Sequence, residues 1–99
     1  MSVEADESDV VVRRDDDAGR YEIAVEGRVL GYADFHVRDG VMVLPHTVTD
    51  PASRGQGLAG QLVKVILDEA REDGVKVSPQ CWYVAQYIDN HPEYADLVA

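Results

Sequence analysis

Apolar and polar residues alternate with period two through the first half of the chain, then recur at helical spacing. Val10-Val11-Val12 is a short strand, followed by Arg13-Arg14 and a turn from Asp15 to Gly19. Tyr21, Ile23 and Val25 alternate with Glu22, Ala24 and Glu26, the pattern of a strand buried on one face. Glu26-Gly27-Arg28 turns the chain back. The third strand places Val29, Gly31, Ala33, Phe35 and Val37 on one face and Leu30, Tyr32, Asp34 and His36 on the other. Arg38-Asp39-Gly40 turns again, because Asp-Gly supplies the positive φ that a tight hairpin requires. Val41 to Thr49 is the fourth strand, and Pro45, which cannot donate to a ladder, predicts a bulge or an unpaired side within it.

Beyond a glycine-rich stretch, Leu58, Leu62, Ile66 and Ala70 recur at helical spacing with Ala59, Val63 and Leu67 beside them. Gln61, Lys64, Asp68, Arg71 and Glu72 cover the opposite side, and Lys64 is spaced to pair with Asp68. Gly74 ends this helix. Val75-Lys76-Val77 is a fifth strand reached by a helical crossover, which predicts a right-handed path parallel to the fourth. A second helix runs from about Trp82 to Asn90 and stops before Pro92. The tail from Glu93 to Ala99 is expected to pack through Tyr94, Leu97 and Val98. The predicted class is α+β: a four-strand antiparallel meander, a crossover helix, a parallel fifth strand and a C-terminal helix.

The stretch Arg54-Gly55-Gln56-Gly57-Leu58-Ala59-Gly60 lies between the fourth strand and the long helix. Two glycines one residue apart let the backbone turn tightly and bring its N–H groups close to a ligand. The following helix points unpaired N–H groups and its positive dipole end at the same place, a corner that holds phosphate without side chains. No Ser, Thr, Asp or Asn stands at Gln56 or Gly57, where a helix usually takes its cap, so a bound anion would fill that role. Gly55-x-Gly57-x-x-Gly60 also spells the dinucleotide-binding fingerprint. That motif needs its first glycine directly after a strand and an acidic residue closing the next one. Asp50 to Arg54 intervene and the next strand ends in Ser78-Pro79, which excludes it.

Length and charge narrow the classes. At 99 residues the chain is one domain, large enough for a core without staples. Residues 1–9, with Glu4, Asp6, Glu7 and Asp9, are expected to be a mobile acidic tail ahead of a domain spanning 10–99. No apolar run reaches the ~18 residues of a membrane span, and the start is acidic rather than signal-like. A net charge of −10 argues against nucleic acid and anionic membrane as partners; it either attracts a cationic amine or only keeps the protein in solution. Cys81 is the only cysteine, so no intrachain disulfide forms and a reducing cytoplasm is the natural home.

Arg54-x-x-Gly57-x-Ala59 resembles the pyrophosphate loop of the GCN5-related N-acetyltransferases. A longer string is similar to a subgroup of about hundred-residue, single-domain members of that superfamily: His46-Thr47-x-Thr49-x-Pro51, then Arg54-Gly55-x-Gly57-Leu58-Ala59, then Pro79-x-Cys81-x-Tyr83, with Tyr87 and Asn90-x-Pro92. The likeness runs from about Tyr21 to Val98 and implies the acetyltransferase mixed sheet.

The resemblance implies acetyl-CoA as co-substrate. Its pyrophosphate would sit on the N–H groups of Gln56, Gly57, Leu58, Ala59 and Gly60, beside Gly55 and with charge from Arg54. Its pantetheine would pair like an added strand with the backbone of Thr47, Val48 and Thr49, in a cleft between the fourth and fifth strands opened at Pro45. A backbone N–H near Val48 would hold the thioester carbonyl. Some members of the small subgroup carry Glu where this chain has Val48, and many larger members use a strand carboxylate as base. His46 is the nearest titratable group here, a general base or a half-exposed strand residue. Cys81 opens the second helix, where the dipole favours thiolate, and is a nucleophile, an acid toward the CoA sulfur, or wall. Tyr83 and Tyr87 are candidate acids, since larger relatives use a tyrosine on this helix, or packing residues; Trp82 is core or pocket rim.

The larger enzymes insert one or two helices between their first strands to wall the acceptor site. Asp15 to Gly19 and Glu26-Gly27-Arg28 leave no room for them, so the acceptor side is open, as suits a protein side chain or a chain N-terminus. Three functions fit: transfer of an acetyl group to an amine, binding of CoA or acyl-CoA with little transfer, and a nucleotide-binding or structural role. No metal site is expected.

Overall fold

Turn chemistry sets the first half of the fold. In the computed structural model of the protein, residues 10–51 and 57–99 are described, so the acidic segment 1–9 and residues 52–56 lie outside the description. β1 (Val10–Asp15) and β2 (Arg20–Val25) pair antiparallel, with Val10 opposite Val25 and Asp15 opposite Arg20. Glu26 and Gly27, at φ of 51° and 83°, form a two-residue turn into β3 (Arg28–Asp34). Asp39 and Gly40, at 55° and 79°, make the same kind of turn between β4 (His36–Arg38) and β5 (Val41–Leu44). Two consecutive positive φ values match the right-handed twist of the strands they join, which is why Asn/Asp-Gly pairs recur there.

The expected third and fourth strands are each broken in two. β3 ends at Asp34, and β4 starts two residues later in another sheet. At the break, Phe35 donates its N–H to the Gly19 carbonyl at 2.9 Å and lays its ring against Tyr21, with centroids 5.1 Å apart. Likewise Pro45 and His46 separate β5 from β6 (Thr47–Thr49). β6 joins β3 to complete an antiparallel sheet in the order β1-β2-β3-β6, while β4, β5 and β7 (Lys76–Pro79) form a second sheet in that order. β5 and β7 run parallel, Met42 opposite Val77 and Leu44 opposite Pro79, as the crossover requires.

The predicted faces of the third strand hold only in its middle. Gly31, Ala33 and Phe35 are buried, but Val29 and Val37 are about half exposed. Ile23 pairs with Gly31 while Ala24 pairs with Val29, so Leu30 is an extra residue in the ladder. Such a bulge inverts the alternation beyond it, turning Val29 outward and letting Leu30 pack on the core. Val37 lies on β4, at the edge of the second sheet.

Helix α1 (Leu58–Asp73) joins the two sheets. Leu62, Val63, Ile66, Leu67 and Ala70 are fully buried in one cluster with Tyr21, Ile23 and Ala33 from the first sheet and Met42, Leu44 and Val77 from the second. Each large apolar side chain buried there contributes about 1.5–3 kcal/mol before entropy is counted. Lys64 pairs with Asp68 at 2.9 Å as its spacing predicts. Helix α2 (Trp82–Asn90) buries Val84 and Ile88. A 3-10 helix over Pro92–Leu97 follows, with Tyr94 and Leu97 buried; Val98 is 41% exposed, and its backbone bridges to Val77. Tyr94 donates to Asp68 at 2.6 Å, and Arg71 reaches Asp96 at 3.0 Å, so the C-terminal segment is tied to the far half of α1.

Candidate functional site

The break at Pro45-His46 creates an open strand edge. β5 keeps β7 as its neighbour, whereas β6 leaves for β3 and becomes the terminal strand of its sheet. Asp34 donates its N–H to the His46 carbonyl at 3.3 Å, and Asp50 donates to Leu30 at 2.7 Å. Hydrogen-bonded pairs alternate along an antiparallel ladder, so Tyr32 and Val48, paired between them, face each other with their N–H and C=O groups. The backbone groups of Thr47 and Thr49 then point to the opposite edge, which no strand among the described residues pairs. The N–H expected near Val48 for a ligand is therefore that of one of these neighbours. Thr47 carries a further open group, a buried Oγ1 without a partner among the described residues. Gly31 is what allows β6 to lie so close, since a Cβ there would meet Thr49 Cγ2 and the Val48 carbonyl at 3.0 Å.

The start of α1 is the second component. Gly57 is its N-cap at φ 73° and ψ 17°, and no side chain among the described residues caps the helix. The first intrahelical bond runs from Gln61 N–H to the Gly57 carbonyl at 3.1 Å. The N–H groups of Leu58, Ala59 and Gly60 thus have no partner within the helix. The Leu58 side chain is buried and pins this turn to the core. Arg54, Gly55 and Gln56 lie outside the described residues. The open strand edge, the orphan hydroxyl and the uncapped helix start are groups that a phosphate-bearing, peptide-like ligand satisfies, so the residues present fit acetyl-CoA.

Helix α2 brings the aromatic candidates to that helix start. A Cβ on Gly60 would lie 3.5 Å from the Tyr83 hydroxyl and 3.7 Å from the Tyr87 ring, an ordinary contact. Tyr87 stacks on His91 with centroids 3.9 Å apart, and burial pushes its hydroxyl above the ordinary phenol range, so it holds its proton at neutral pH. Trp82 is 74% exposed and sets its ring edge-on to Tyr83, a rim position rather than core. Cys81 is the N-cap of α2 and is buried, with its N–H donated to the Leu44 carbonyl at 3.0 Å where β5 ends. Its place is the floor beside the strand break.

His46 stands apart from that group. It alternates with Thr47 and belongs with Val48 to the exposed face of the first sheet, opposite the face that α1 covers. There its Nε2 lies 2.6 Å from Asp34 Oδ2, and the Tyr32 ring sits edge-on with centroids 6.3 Å apart. Arg20 completes the cluster, 3.9 Å over the Tyr32 ring and 3.4 Å from Asp34. Asp34, Arg20 and Tyr32 were not among the candidates that motif spacing suggests. Strand alternation does carry a signal for them, since Arg20, Tyr32, Asp34 and His46 all fall on the polar face of their strands. Among the described residues no group of His, Cys, Asp and Glu could hold a metal ion. None of their helices is long and apolar enough to cross a membrane.

Comparison with known proteins agrees with this architecture. The family described as "GCN5-related N-acetyl-transferase" matches residues 20–97. Protein NATD1 of Gallus gallus and of Homo sapiens are each 35% identical over 57 residues, 58% of this chain. That match spans about half of each relative, 52% and 50%. Among solved structures, a GCN5-like putative N-acetyltransferase from Staphylococcus aureus superposes with a TM-score of 0.72 at 20% identity, over 93% of this chain and 90% of that one. The ribosomal-protein-S18-alanine N-acetyltransferase of Escherichia coli gives 0.56 at 24% identity, over 59% of this chain and 38% of that one. N-acetylglutamate synthase of Neisseria gonorrhoeae, solved with coenzyme A and N-acetyl-glutamate, gives 0.55 at 15%, over 76% and 20%. At these identities the likenesses establish the fold.

Proposed function

The chain belongs to the GCN5-related N-acetyltransferase family, and on that premise we propose that it transfers an acetyl group from acetyl-CoA to an amine. The observation that carries the reading is the pairing of an uncapped α1 N-terminus with an unpaired β6 edge, both built from residues of the family's motif string. The N–H groups of Leu58, Ala59 and Gly60, with Gly57 and the preceding Arg54-Gly55-Gln56, hold the pyrophosphate. Thr47 and Thr49 pair with the pantetheine amides, with Val48 between them bonded to β3, and Thr47 Oγ1 gains a partner. One of their N–H groups stabilises the oxyanion as the amine attacks. The co-substrate supplies an activated acetyl thioester; the chain's residues orient it and move protons.

His46, at the strand break and half exposed, is the base for the amine. Tyr83 and Tyr87, beside the helix start, are the hydroxyls available to the departing sulfur, and Tyr87 keeps its proton at neutral pH. Cys81 is wall: its burial and its place under Leu44 favour a packing role over a nucleophilic one. The turns between β1 and β2 and between β2 and β3 hold no helix, and among the described residues none covers the exposed sheet face, which suits a protein side chain or chain N-terminus as acceptor.

A second reading rests on Val48. This residue is 43% exposed on the face where a base is needed, at a position where some members of the small subgroup carry Glu, which favours acyl-CoA binding with little transfer. Calorimetry with acetyl-CoA, CoA and ATP, followed by an acetylation assay over peptide and small amines, separates these. The transferase reading expects both CoA species to bind, ATP to fail, and acetyl-amine to form. Binding without transfer to any amine would leave the second reading, and no CoA binding would refute both.

A further inference from the structure

We propose that Asp34 is the positioning residue for His46, fixing its ring so that Nδ1 is the nitrogen presented to the acceptor amine. The assignment rests on the transferase reading above and adds a residue that no motif in the chain marks. Strand register brings the partners together. Arg20 lies opposite Asp34 in the β2–β3 ladder, and the Asp34 N–H bonds the His46 carbonyl across from β6. A row of Arg20, Asp34 and His46 therefore crosses β2 and β3 and ends one residue before β6 on the exposed face.

The side chains follow the row. Asp34 has one oxygen 2.6 Å from His46 Nε2 and the other 3.4 Å from the Arg20 guanidinium. A carboxylate offers only acceptors, so the assignment puts the imidazole proton between the two atoms of this ion-pair contact. Nε2 therefore carries the proton, and in the neutral ring the lone pair is on Nδ1. Tyr32 borders the imidazole with its ring edge and is itself covered by Arg20, so the ring is confined by a charge partner and an aromatic neighbour. An isolated surface pair with side chains 52% and 29% exposed would contribute little to stability. What this pair supplies is orientation, because backbone and side chain both tie Asp34 to His46.

The place of His46 makes that orientation useful, since it immediately precedes Thr47, whose open edge is assigned to the ligand. As the amine nitrogen bonds to the acetyl carbon, its proton passes to Nδ1. The carbon–sulfur bond then breaks with its electron pair on sulfur, which takes a proton from the Tyr83 or Tyr87 hydroxyl, and the imidazolium returns its proton to that phenolate through water. Asp34 holds Nε2–H throughout, stabilising the imidazolium while it exists.

Two measurements on the full chain test this. First, 15N spectra of the neutral His46 ring should show a single Nε2–H form in the wild type and a mixture of both tautomers in Asp34→Ala. Second, Asp34→Ala and the shape-preserving Asp34→Asn should bind acetyl-CoA within about twofold of the wild type and lose kcat by at least about tenfold, with little change in KM for the amine. Should the alanine variant fail to fold, the asparagine variant carries the kinetic test. Transfer by the wild type that the folded Asp34 variants retain in full would overturn the assignment alone, as would an unchanged tautomer in Asp34→Ala. Absence of transfer by the wild type would instead overturn the transferase reading, and this assignment with it.

Discussion

Gly57 at the start of α1 and Gly74 at its end share a φ of 73° and have nearly the same ψ, 17° and 23°. At Gly74 the left-handed residue closes the helix. Its N–H bonds Arg71 and that of Val75 bonds Ala70, at 3.2 and 3.0 Å, which satisfies the last carbonyls. At Gly57 the same geometry closes nothing: among the described residues no side chain caps the helix, and three N–H groups have no partner within it. The surroundings differ in the same sense. Arg71, near the closed end, is bound to Asp96 and to the Glu93 carbonyl, while at the open end the Tyr83 hydroxyl and the Tyr87 ring lie beside Gly60. A backbone conformation does not by itself declare a site; what declares one is which donors the fold leaves unanswered.

The comparison breaks most sharply by mutation of the two glycines. Gly57→Val should lower acetyl-CoA affinity about 100-fold or more, since N–H bonds to a charged group contribute roughly 1.5–3 kcal/mol each. No described atom crowds a Cβ there, so the only folding cost is the backbone strain of about 1–2 kcal/mol. Gly74→Val should carry a similar folding cost and leave affinity unchanged. Paired calorimetry and thermal melts read both outcomes, and equal affinity losses at the two ends would erase the distinction.

Moving the strand edge rather than the helix sharpens it. Gly31→Ala introduces contacts at 3.0 Å with Thr49 and Val48. It should push β6 outward, costing about 1–3 kcal/mol of stability and roughly tenfold in acetyl-CoA affinity. A stability loss with full affinity would mean that β6 does not carry the pantetheine.

Cys81 yields a smaller effect. A small alkylating agent should modify it slowly, with or without CoA, and Cys81→Ala should lose about 1–2 kcal/mol without a specific defect in transfer. Rapid modification blocked by CoA would return the thiol to the mechanism. The smallest effect lies at the closed half of α1. The Tyr94 hydroxyl, and then Lys64, hold the Asp68 carboxyl below its usual range against the opposing cost of burial. A depressed folded value gives stability that is fully present above the unfolded value of about 3.9 and lost as pH falls through the folded one. Asp68→Asn should therefore lower the melting temperature slightly near neutrality and flatten the acid limb, so that the two profiles converge at acid pH.

Much of this was legible in the chain itself. Glu26-Gly27 and Asp39-Gly40 are local turn chemistry, and Leu62, Ile66 and Ala70 declare their helix face within one element, so neither needed tertiary information. The parallel pairing of β5 with β7 followed from the length of the crossover. Pro45 marked the irregularity but not its consequence, because a proline removes one donor and only the competing partners β3 and β7 decide where the two halves go. The extra residue at Leu30 was hidden for the same reason: alternation within one strand cannot reveal a change of register against its neighbour. Within the site, the glycine motif pointed to the start of α1. The Asp34–His46 contact joins residues twelve positions apart through a ladder, and periodicity marks their face without naming them as partners.

The most direct test of the open helix end is a titration of the 15N-labelled chain with CoA, following backbone amides one by one. The N–H signals of Leu58, Ala59 and Gly60 should move most, together with those of Thr47 and Thr49, while Gly74 and Val75 stay in place. Saturable binding that leaves the Leu58, Ala59 and Gly60 signals unmoved would contradict the account at its centre.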